Sequence, residues 1–552
     1  MKKPKKILAV GEASFLSTGY AVYQNEVLKR LHATGKFEIA ELGCYGSNQD
    51  PRAMMVPWRF YGNIPEMGNK AEEERYAADV FNAFGKLNYE SILLDFKPDI
   101  VFDIRDYWMI SYQEKSPFRD MYHWCIMPTV DAAPQSNDWI GTYMNADSVF
   151  CYTDWGADVL KKQSGGLVNV LGSNPPGADI DIFKPVANKE QHRLSAGIST
   201  DIFIVGTVMR NQTRKLYPNL LEDFRKYLDY CKDNNKDLYD RSFLYLHTCY
   251  PDLGWNIPSL ILNNGLSSKV IMTYACRNCG IVFPSFFQDP PIVCHMCGRA
   301  DARLPNTMQG ISREQLANII NYFDVYVQYA SNEGFGMPQV EAASCGVPVF
   351  ATDYSGMSDV VRKVSGYPIK VKAFYYDHGT EGNRASPDGD DFIKQLYSFA
   401  NLPTPIRKRK GMEARLGVQA HYDWNKTAKK WENHFDSIEH NSLWNSPLRL
   451  HNIPNISNIP NIPGNGAFVT WCYINILGRE DLINTHYYFK YINDLNYGFK
   501  IQRNGSLLFD DKSFIAGDNK FITFTREDLV RELIEVRNSW NYWEQQRIGV
   551  QQ

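Results

Sequence analysis

The sequence has no apolar run near the roughly 18 residues a membrane-spanning helix needs, so no span is expected. It has no charge excess either. Its 59 Lys+Arg stand against 62 Asp+Glu, a formal net charge of −3, whereas a protein devoted to a polyanion usually carries a basic surplus. It lacks a disordered composition: 44% hydrophobic and 22% charged residues are ordinary for a globular chain. A secretory leader is not expected either. Met1-Lys-Lys-Pro-Lys-Lys imitates the start of one, but only Ile7-Leu8-Ala9-Val10 follows before Gly11 and Glu12. That run suits a buried first strand, and the expected location is cytoplasmic. Eleven cysteines, an odd number in 552 residues, do not describe a disulfide framework. The length suggests three or four domains.

Four cysteines stand apart: Cys276-x2-Cys279, 14 residues, then Cys294-x2-Cys297. Two such knuckles present four thiolates to one tetrahedral Zn²⁺ and leave no position for water or substrate. The expected site is therefore structural, with His295 a minor alternative ligand. Gly280 and Gly298 follow the second cysteine of each pair, where a tight turn favours glycine.

Along the chain, short apolar runs alternate with helical patterns, which indicates parallel sheets covered by helices. Strands are expected at Lys6–Val10, Asp99–Ile104, Trp124–Val130 and Asp147–Tyr152. A second series comprises Ile202–Val208, Phe243–His247, Val270–Tyr274, Val325–Tyr329 and Val347–Ala351. Helices are expected over Thr18–His32 and Pro218–Asp229. The cysteine knuckles fall between two strands of the second series, as an insertion. Ser312-Arg-Glu-Gln315 has the form of a capping box. Arg407-Lys-Arg-Lys410 reads as a solvated helix face. Ile-Pro-Asn repeats between His451 and Gly466 read as an extended linker. Beyond it, Asn504-Gly505 marks a hairpin turn. Thr525 caps an expected helix whose Leu529, Leu533, Val536, Trp540 and Trp543 share a face.

The segment richest in chemistry is Ser331-Asn-Glu333-Gly334-Phe335-Gly336-Met337-Pro338-Gln-Val-Glu341-Ala-Ala-Ser-Cys-Gly346-Val-Pro348. An apolar strand leads into it, glycines form a turn, Pro338 suits a helix start and Gly346 a helix end. The outward-pointing N–H groups of such a helix attract phosphate. Glu333 and Glu341 beside them suit hydrogen bonds from sugar or ribose hydroxyls. Together they suggest a hydroxyl-bearing nucleotide.

Here the sequence resembles the family 4 retaining glycosyltransferases of GT-B fold. Glu333-x7-Glu341 resembles their signature. Val205-Gly-Thr-Val-Met-Arg210-Asn-Gln-Thr-Arg-Lys215 resembles the strand and loop whose cations hold the donor diphosphate. Asn174-Pro-Pro-Gly177-Ala-Asp179 resembles the exit from the first domain. Tyr422-Asp-Trp424-Asn-Lys-Thr-Ala-Lys-Lys-Trp431 resembles the helix that crosses back. The resemblance covers Lys5 to Glu439, some four-fifths of the chain. It implies an α/β fold of two Rossmann-like domains facing a cleft. An acceptor domain would span 1–186, completed by a crossing helix at 421–440, and a donor domain 187–420. A zinc ribbon at 275–303, a linker at 445–466 and a small α+β module at 467–552 would be additions.

The resemblance also implies roles. Glu341 would hold the ribose hydroxyls and Glu333 the transferred sugar. Arg210 and Lys215 would neutralise the departing diphosphate with no catalytic metal. Ser331, Gly334, Phe335, Gly336 and Met337 would line the donor, and Gly19, in Ser17-Thr-Gly19-Tyr, would complete the phosphate site. Asp131 would face the acceptor. The chain departs from the family pattern in keeping only Gly19 in the first loop, in having no His before Asp131, and in Met209 ahead of Arg210. The donor would be a nucleotide-diphosphate sugar, with a UDP-sugar the first choice. The acceptor stays open among a glycan, a small molecule, a protein and a modified nucleobase, the sharper variant of the last being a hydroxymethylated base in DNA. The DNA variant would need a basic cleft, which the net charge does not advertise, but the Asn- and Tyr-rich, Ala-poor composition is phage-like, which keeps that variant, and with it a host-cytoplasm location, among the readings. The ribbon and C-terminal module suit a macromolecular partner or an oligomer. The competing reading is a non-catalytic GT-B scaffold that binds partners through the ribbon and C-terminal module.

Overall fold

The structure, a computed structural model, describes residues 3–306, 309–439, 444, 471–472, 476, 500–501, 506–508 and 524–549. Strands are numbered in chain order. The first sheet contains β1 (Lys5–Glu12), β2 (Phe37–Cys44), β3 (Arg59–Gly62), β4 (Ile100–Asp103), β5 (His123–Ile126), β6 (Ser148–Cys151) and β7 (Val170–Ser173). Its order is β3-β2-β1-β4-β5-β6-β7, and all pairs are parallel. Ile7 through Val10 are fully buried, because a parallel sheet is covered on both faces and its central strand must be apolar throughout. Ile7 lies level with Ile39 of β2 and Ile100 of β4. The chain reverses its direction of winding between β1 and β4, and crevices open at the carboxyl ends of strands at such a point.

The strand expected over Trp124–Val130 ends early, at Ile126. Pro128 has no amide hydrogen to extend the ladder. Residues 127–131 leave the sheet as a loop.

The second sheet is built from β8 (Phe203–Val208), β9 (Ser242–His247), β10 (Val270–Cys276), β11 (Val282–Phe286), β12 (Ile292–Val293), β13 (Ala300–Arg303), β14 (Val325–Gln328), β15 (Val349–Thr352) and β16 (Tyr367–Ile369). Its order is β12-β13-β10-β9-β8-β14-β15-β16, with β11 also on β10. The switch point here lies between β8 and β14. The cysteine segment is no loosely tethered insertion. Strand β10 runs unbroken from the parallel sheet, beside β9, into antiparallel pairing with β11 and β13. Cys276, Cys294 and Ala302 belong to the same buried cluster as Leu244, Val270 and Phe350. The capping box forms, with Ser312 and Gln315 bonding reciprocally, and Gln315 also reaches Gly280 O at 3.2 Å.

The helix Trp424–Ser437 packs on the first sheet. Trp431 is fully buried, and its indole donates to Tyr23 Oη at 2.9 Å. Lys36 pairs with Glu432 and Asp436, each at 2.6 Å. A two-stranded sheet, β17 (Val371–Asp377) with β18 (Gly382–Pro387), stands apart from both large sheets.

Near the C-terminus, β19 (Lys500–Ile501) pairs with β20 (Ser506–Leu508), and β20 with β21 (Phe524–Thr525). The Asn504-Gly505 turn and the 445–466 linker lie outside the described residues. Thr525 closes β21, and a helix follows over Arg526–Gly549. Its Leu533 is buried and its Trp543 packs edge-on against Phe118 of the first lobe. The side chains of Leu529, Val536 and Trp540 lie outside the described residues.

Candidate active site

Two loops at the carboxyl ends of β8 and β14 build the site. Residues 210–216 run antiparallel along 329–331: Lys215 bridges Ala330, Leu216 N donates to Tyr329 O at 3.2 Å, and Ser331 N donates to Arg214 O at 2.9 Å. This pairing carries Lys215 to Glu333, and the ammonium rests against Glu333 Oε1 with both side chains under 10% exposed. Gln328 Nε2 donates to the same oxygen at 2.9 Å. Arg214, half exposed, reaches Glu333 Oε2 at 3.6 Å. Ser355 Oγ accepts from Glu333 N at 3.0 Å. Burial and the Arg214 guanidinium push the Lys215 ammonium well below the usual lysine range, and the Asp131 carboxylate opposes that shift.

Gly336 adopts φ +86° and caps the helix Met337–Ser344, with Pro338 in its first turn. That positive φ is the conformation that favours glycine, and a Cβ there would also force the Gln339 amide, 2.4 Å away, to shift. Glu341 lies one turn in. Burial pushes its carboxyl up to about 7, and Arg313 nearby draws it down. Among the described residues its carboxylate makes no hydrogen bond or ion pair.

The first lobe closes on these loops. Gly334 lies so near the 127–131 loop that a Cβ would stand 2.4 Å from Thr129 Cγ2. Asn332 Nδ2 donates to Asp131 Oδ2, and Arg384 of β18 reaches the same oxygen at 3.2 Å. Gly19 opens the helix Gly19–Ala33 opposite Met337, whose Sδ would be 3.9 Å from a Cβ at that glycine. Thr18 caps that helix, and its hydroxyl donates to Glu12.

The structure thus brings together Lys215, Glu333, Ser331, Gly334, Asp131, Gly19 and Met337. Two expected residues stand differently. Arg210, on the same loop as Lys215, is held in a two-point pair by Asp252 at 3.0 Å. The Phe335 ring is buried in the core, edge-on to Tyr422 at 5.4 Å, so only its backbone is available to a ligand. Other residues join the site unannounced. Asp106, just past β4, has a carboxyl pushed up to about 6 by burial, with the Tyr20 and Thr129 hydroxyls beside it. Tyr20 Oη and Thr129 Oγ1 lie 2.7 Å apart. Arg214 and Tyr20 were one residue from Lys215 and Gly19, and a carboxylate at the end of a parallel strand is a signal for Asp106. Arg384 carries no local signal, since it reaches Asp131 only through the fold.

The four cysteines converge as well. Their sulfurs all lie within 4.8 Å of one another. Cys276 Sγ and Cys297 Sγ are 3.6 Å apart, and Cys279 Sγ and Cys294 Sγ 3.7 Å. A tetrahedron with Zn–S bonds of about 2.3 Å has edges of about 3.8 Å, so the set fits Zn²⁺. Gly280 (φ +73°) and Gly298 (φ +69°) close the knuckles, their amides donating to Cys276 O and Cys294 O at 2.9 and 2.8 Å. His295 packs edge-on against Phe283, outside the cluster.

Two open sheets with their switch points facing each other, joined by a returning helix, define the architecture. Solved structures match it. Sucrose-phosphate synthase from Thermosynechococcus elongatus aligns at TM-score 0.54 and 16% identity, over 79% of this chain and 98% of that one. The fold is GT-B. A glycosyltransferase from Rickettsia africae aligns at 0.53 and 15%, over 79% and 99%. Anabaena Alr3699/HepE in complex with UDP aligns at 0.53 and 13%, over 79% and 100%. Residues 306–373, which hold the Glu333–Glu341 segment of this GT-B chain, match the family model for glycosyl transferases group 1. No curated protein sequence matches the chain significantly.

Proposed function

We propose that this chain is a retaining glycosyltransferase that moves a sugar from a nucleotide-diphosphate sugar, a UDP-sugar by preference, to an acceptor hydroxyl. The observation that carries the reading is the Lys215–Glu333 contact at the β8/β14 switch point, facing the Asp131 loop of the other lobe. A buried lysine against a carboxylate is expensive to keep for structure alone, and it is poised to exchange that partner for a diphosphate. The UDP and UDP-glucose complexes of Anabaena Alr3699/HepE, a protein of the same fold, agree with this donor class.

In this reading the diphosphate lies at the N-terminus of the helix Met337–Ser344, the end that attracts phosphate, although Pro338 supplies no amide hydrogen and Gln339 N already donates to Gly336 O at 3.1 Å. Lys215 neutralises the charge that grows on the leaving oxygen, with Arg214 beside it, and Arg210 joins them on exchanging Asp252 for the diphosphate. These cations carry out the chemistry with no catalytic metal. Glu341 accepts from the ribose hydroxyls, and Glu333 from the sugar. As the bond from the anomeric carbon to the diphosphate breaks, the acceptor oxygen bonds to that carbon on the same face. The acceptor proton passes to the departing phosphate oxygen. Asp131 and Asp106 stand on the acceptor side. The four cysteines would hold one structural Zn²⁺ and take no part in the reaction.

The test is UDP release from UDP-glucose and related donors by the full chain, in wild type and in Glu333→Gln. The reading expects slow donor hydrolysis that Glu333→Gln suppresses. No turnover and no affinity for any nucleotide would favour the scaffold.

A further inference from the structure

The two-stranded sheet 371–387 is tied into the site from both sides. Ala385 N donates to Ser331 O at 3.0 Å, on the loop that carries Glu333. Asn383 N donates to Ala133 O at 3.2 Å, and a Cβ at Gly382 would stand 2.7 Å from Ala132 Cβ, on the opposing lobe. Arg384 binds Asp131 at 3.2 Å, Asp377 at 3.1 Å and Thr380 at 2.7 Å. Tyr354 Oη donates to Asn383 O at 2.8 Å and accepts from Ala133 N at 3.0 Å. The next residue, Ser355, caps the Glu333 amide.

At the rim of this junction three consecutive aromatic residues are partly exposed, Phe374 at 56%, Tyr375 at 49% and Tyr376 at 43%, with the Tyr376 ring edge-on to His378 at 5.1 Å. Strand alternation puts Phe374 and Tyr376 on one face, about 6.6 Å apart along the chain. Phe374 continues inward, edge-on to Tyr354 at 5.1 Å, and Tyr354 in turn to Trp155 at 5.5 Å. The row of rings therefore leads to within one residue of the Ser355–Glu333 contact.

We propose that the β17–β18 hairpin is an acceptor platform, on which Phe374 and Tyr376 stack the rings of a neutral oligosaccharide whose terminal hydroxyl enters beside Asp131. This rests on the transferase reading. The charge on the page selects the ligand class. Nucleic acid binding draws on several phosphate contacts from free cations. Here Arg384 is spent on Asp131 and Asp377, Lys370 lies 3.5 Å from Asp391, and only Lys372 of the hairpin cations has no carboxylate partner among the described residues. The entrance sets three carboxylates, Asp106, Asp131 and Asp377, against the one guanidinium of Arg384, an acidic balance that disfavours phosphates and leaves carboxylate oxygens to accept from sugar hydroxyls. Aromatic faces with carboxylates suit neutral sugar rings.

Calorimetric titration of the full chain with maltoheptaose, chitohexaose and a single-stranded 12-mer DNA, each with UDP present, tests the proposal. At least one oligosaccharide is expected to bind, about fivefold or more weakly to Phe374→Ala and Tyr376→Ala, while UDP affinity stays near wild type. Binding of the DNA that the same substitutions weaken, no binding of either oligosaccharide, or oligosaccharide binding that the substitutions leave unchanged would each overturn it. Loss of UDP binding alone in the wild type would strike the donor reading and leave the oligosaccharide result standing.

Discussion

Lys215 and Glu333 form the pair on which the proposed chemistry rests, and each is buried enough that its partner matters. Removing one member of a buried pair typically costs about 3–5 kcal/mol. Lys215 is already pushed toward its neutral form by burial, so Glu333→Gln should lose less than that, because the amine can shed its proton. Lys215→Met is expected to lower transfer by about 10²–10³-fold, the usual effect of deleting one group that stabilises developing charge. Initial rates at saturating donor check this. Glu341 gives a pH signature. Burial pushes its carboxyl up to about 7, and in the proposed role ribose hydroxyls would donate to the ionised form. Nucleotide affinity should rise by about tenfold from pH 6 to pH 8. Glu341→Gln should flatten the profile, as calorimetry with UDP would show. The raised value has the opposite sign for folding: Glu341 opposes stability increasingly as pH rises from its unfolded value through 7.

At the scale of elements, much of the site was legible. The apolar run before Ser331, the glycine at the helix entry and Pro338 are local signals, and the helix Met337–Ser344 follows them. The paired cysteines were legible for the same reason, since four ligands within 22 residues define their own geometry. That β10 joins the central sheet to the knuckles was not legible, because strand pairing is non-local. This continuity makes a prediction. Cys276 and Cys294 are buried in the second-lobe core, so if the four thiolates hold the proposed Zn²⁺, a chelator should lower the thermal midpoint of the whole second lobe. Elemental analysis should find about one Zn²⁺ per chain. The hairpin 371–387 and Arg384 escaped the sequence reading, because their meaning lies in contacts with residues 250 positions away. The returning helix carries another device hidden in sequence. Ser148 Oγ bridges His123 Nε2 and His434 Nε2, each at 2.9 Å, between the first sheet and that helix. Burial pushes His434 down to about 4 and lowers His123 as well. The unfolded chain therefore binds more protons between about pH 6.5 and 4, and stability must fall as pH falls through that window. His434→Gln should make the decline shallower, as thermal midpoints at pH 7 and pH 5 would show.

For the whole molecule, the lobes touch where the chemistry is expected. Gly334 faces Thr129 with no room for a methyl group. Gly334→Ala should hold the lobes apart, lower transfer and increase the radius of gyration in solution scattering. An unchanged rate and radius would show that the contact is incidental. The order of alternating strands and helices made the two-sheet architecture readable, but which residues meet across the cleft depends on how the sheets face each other. The central claim is that Lys215 and Glu333 serve a departing diphosphate. Its most direct test is the rate of UDP release from UDP-glucose by wild type, Lys215→Met and Glu333→Gln, with folding of each checked by thermal melting. The account predicts turnover in the wild type and its near loss in both folded variants. Equal turnover in all three would contradict it.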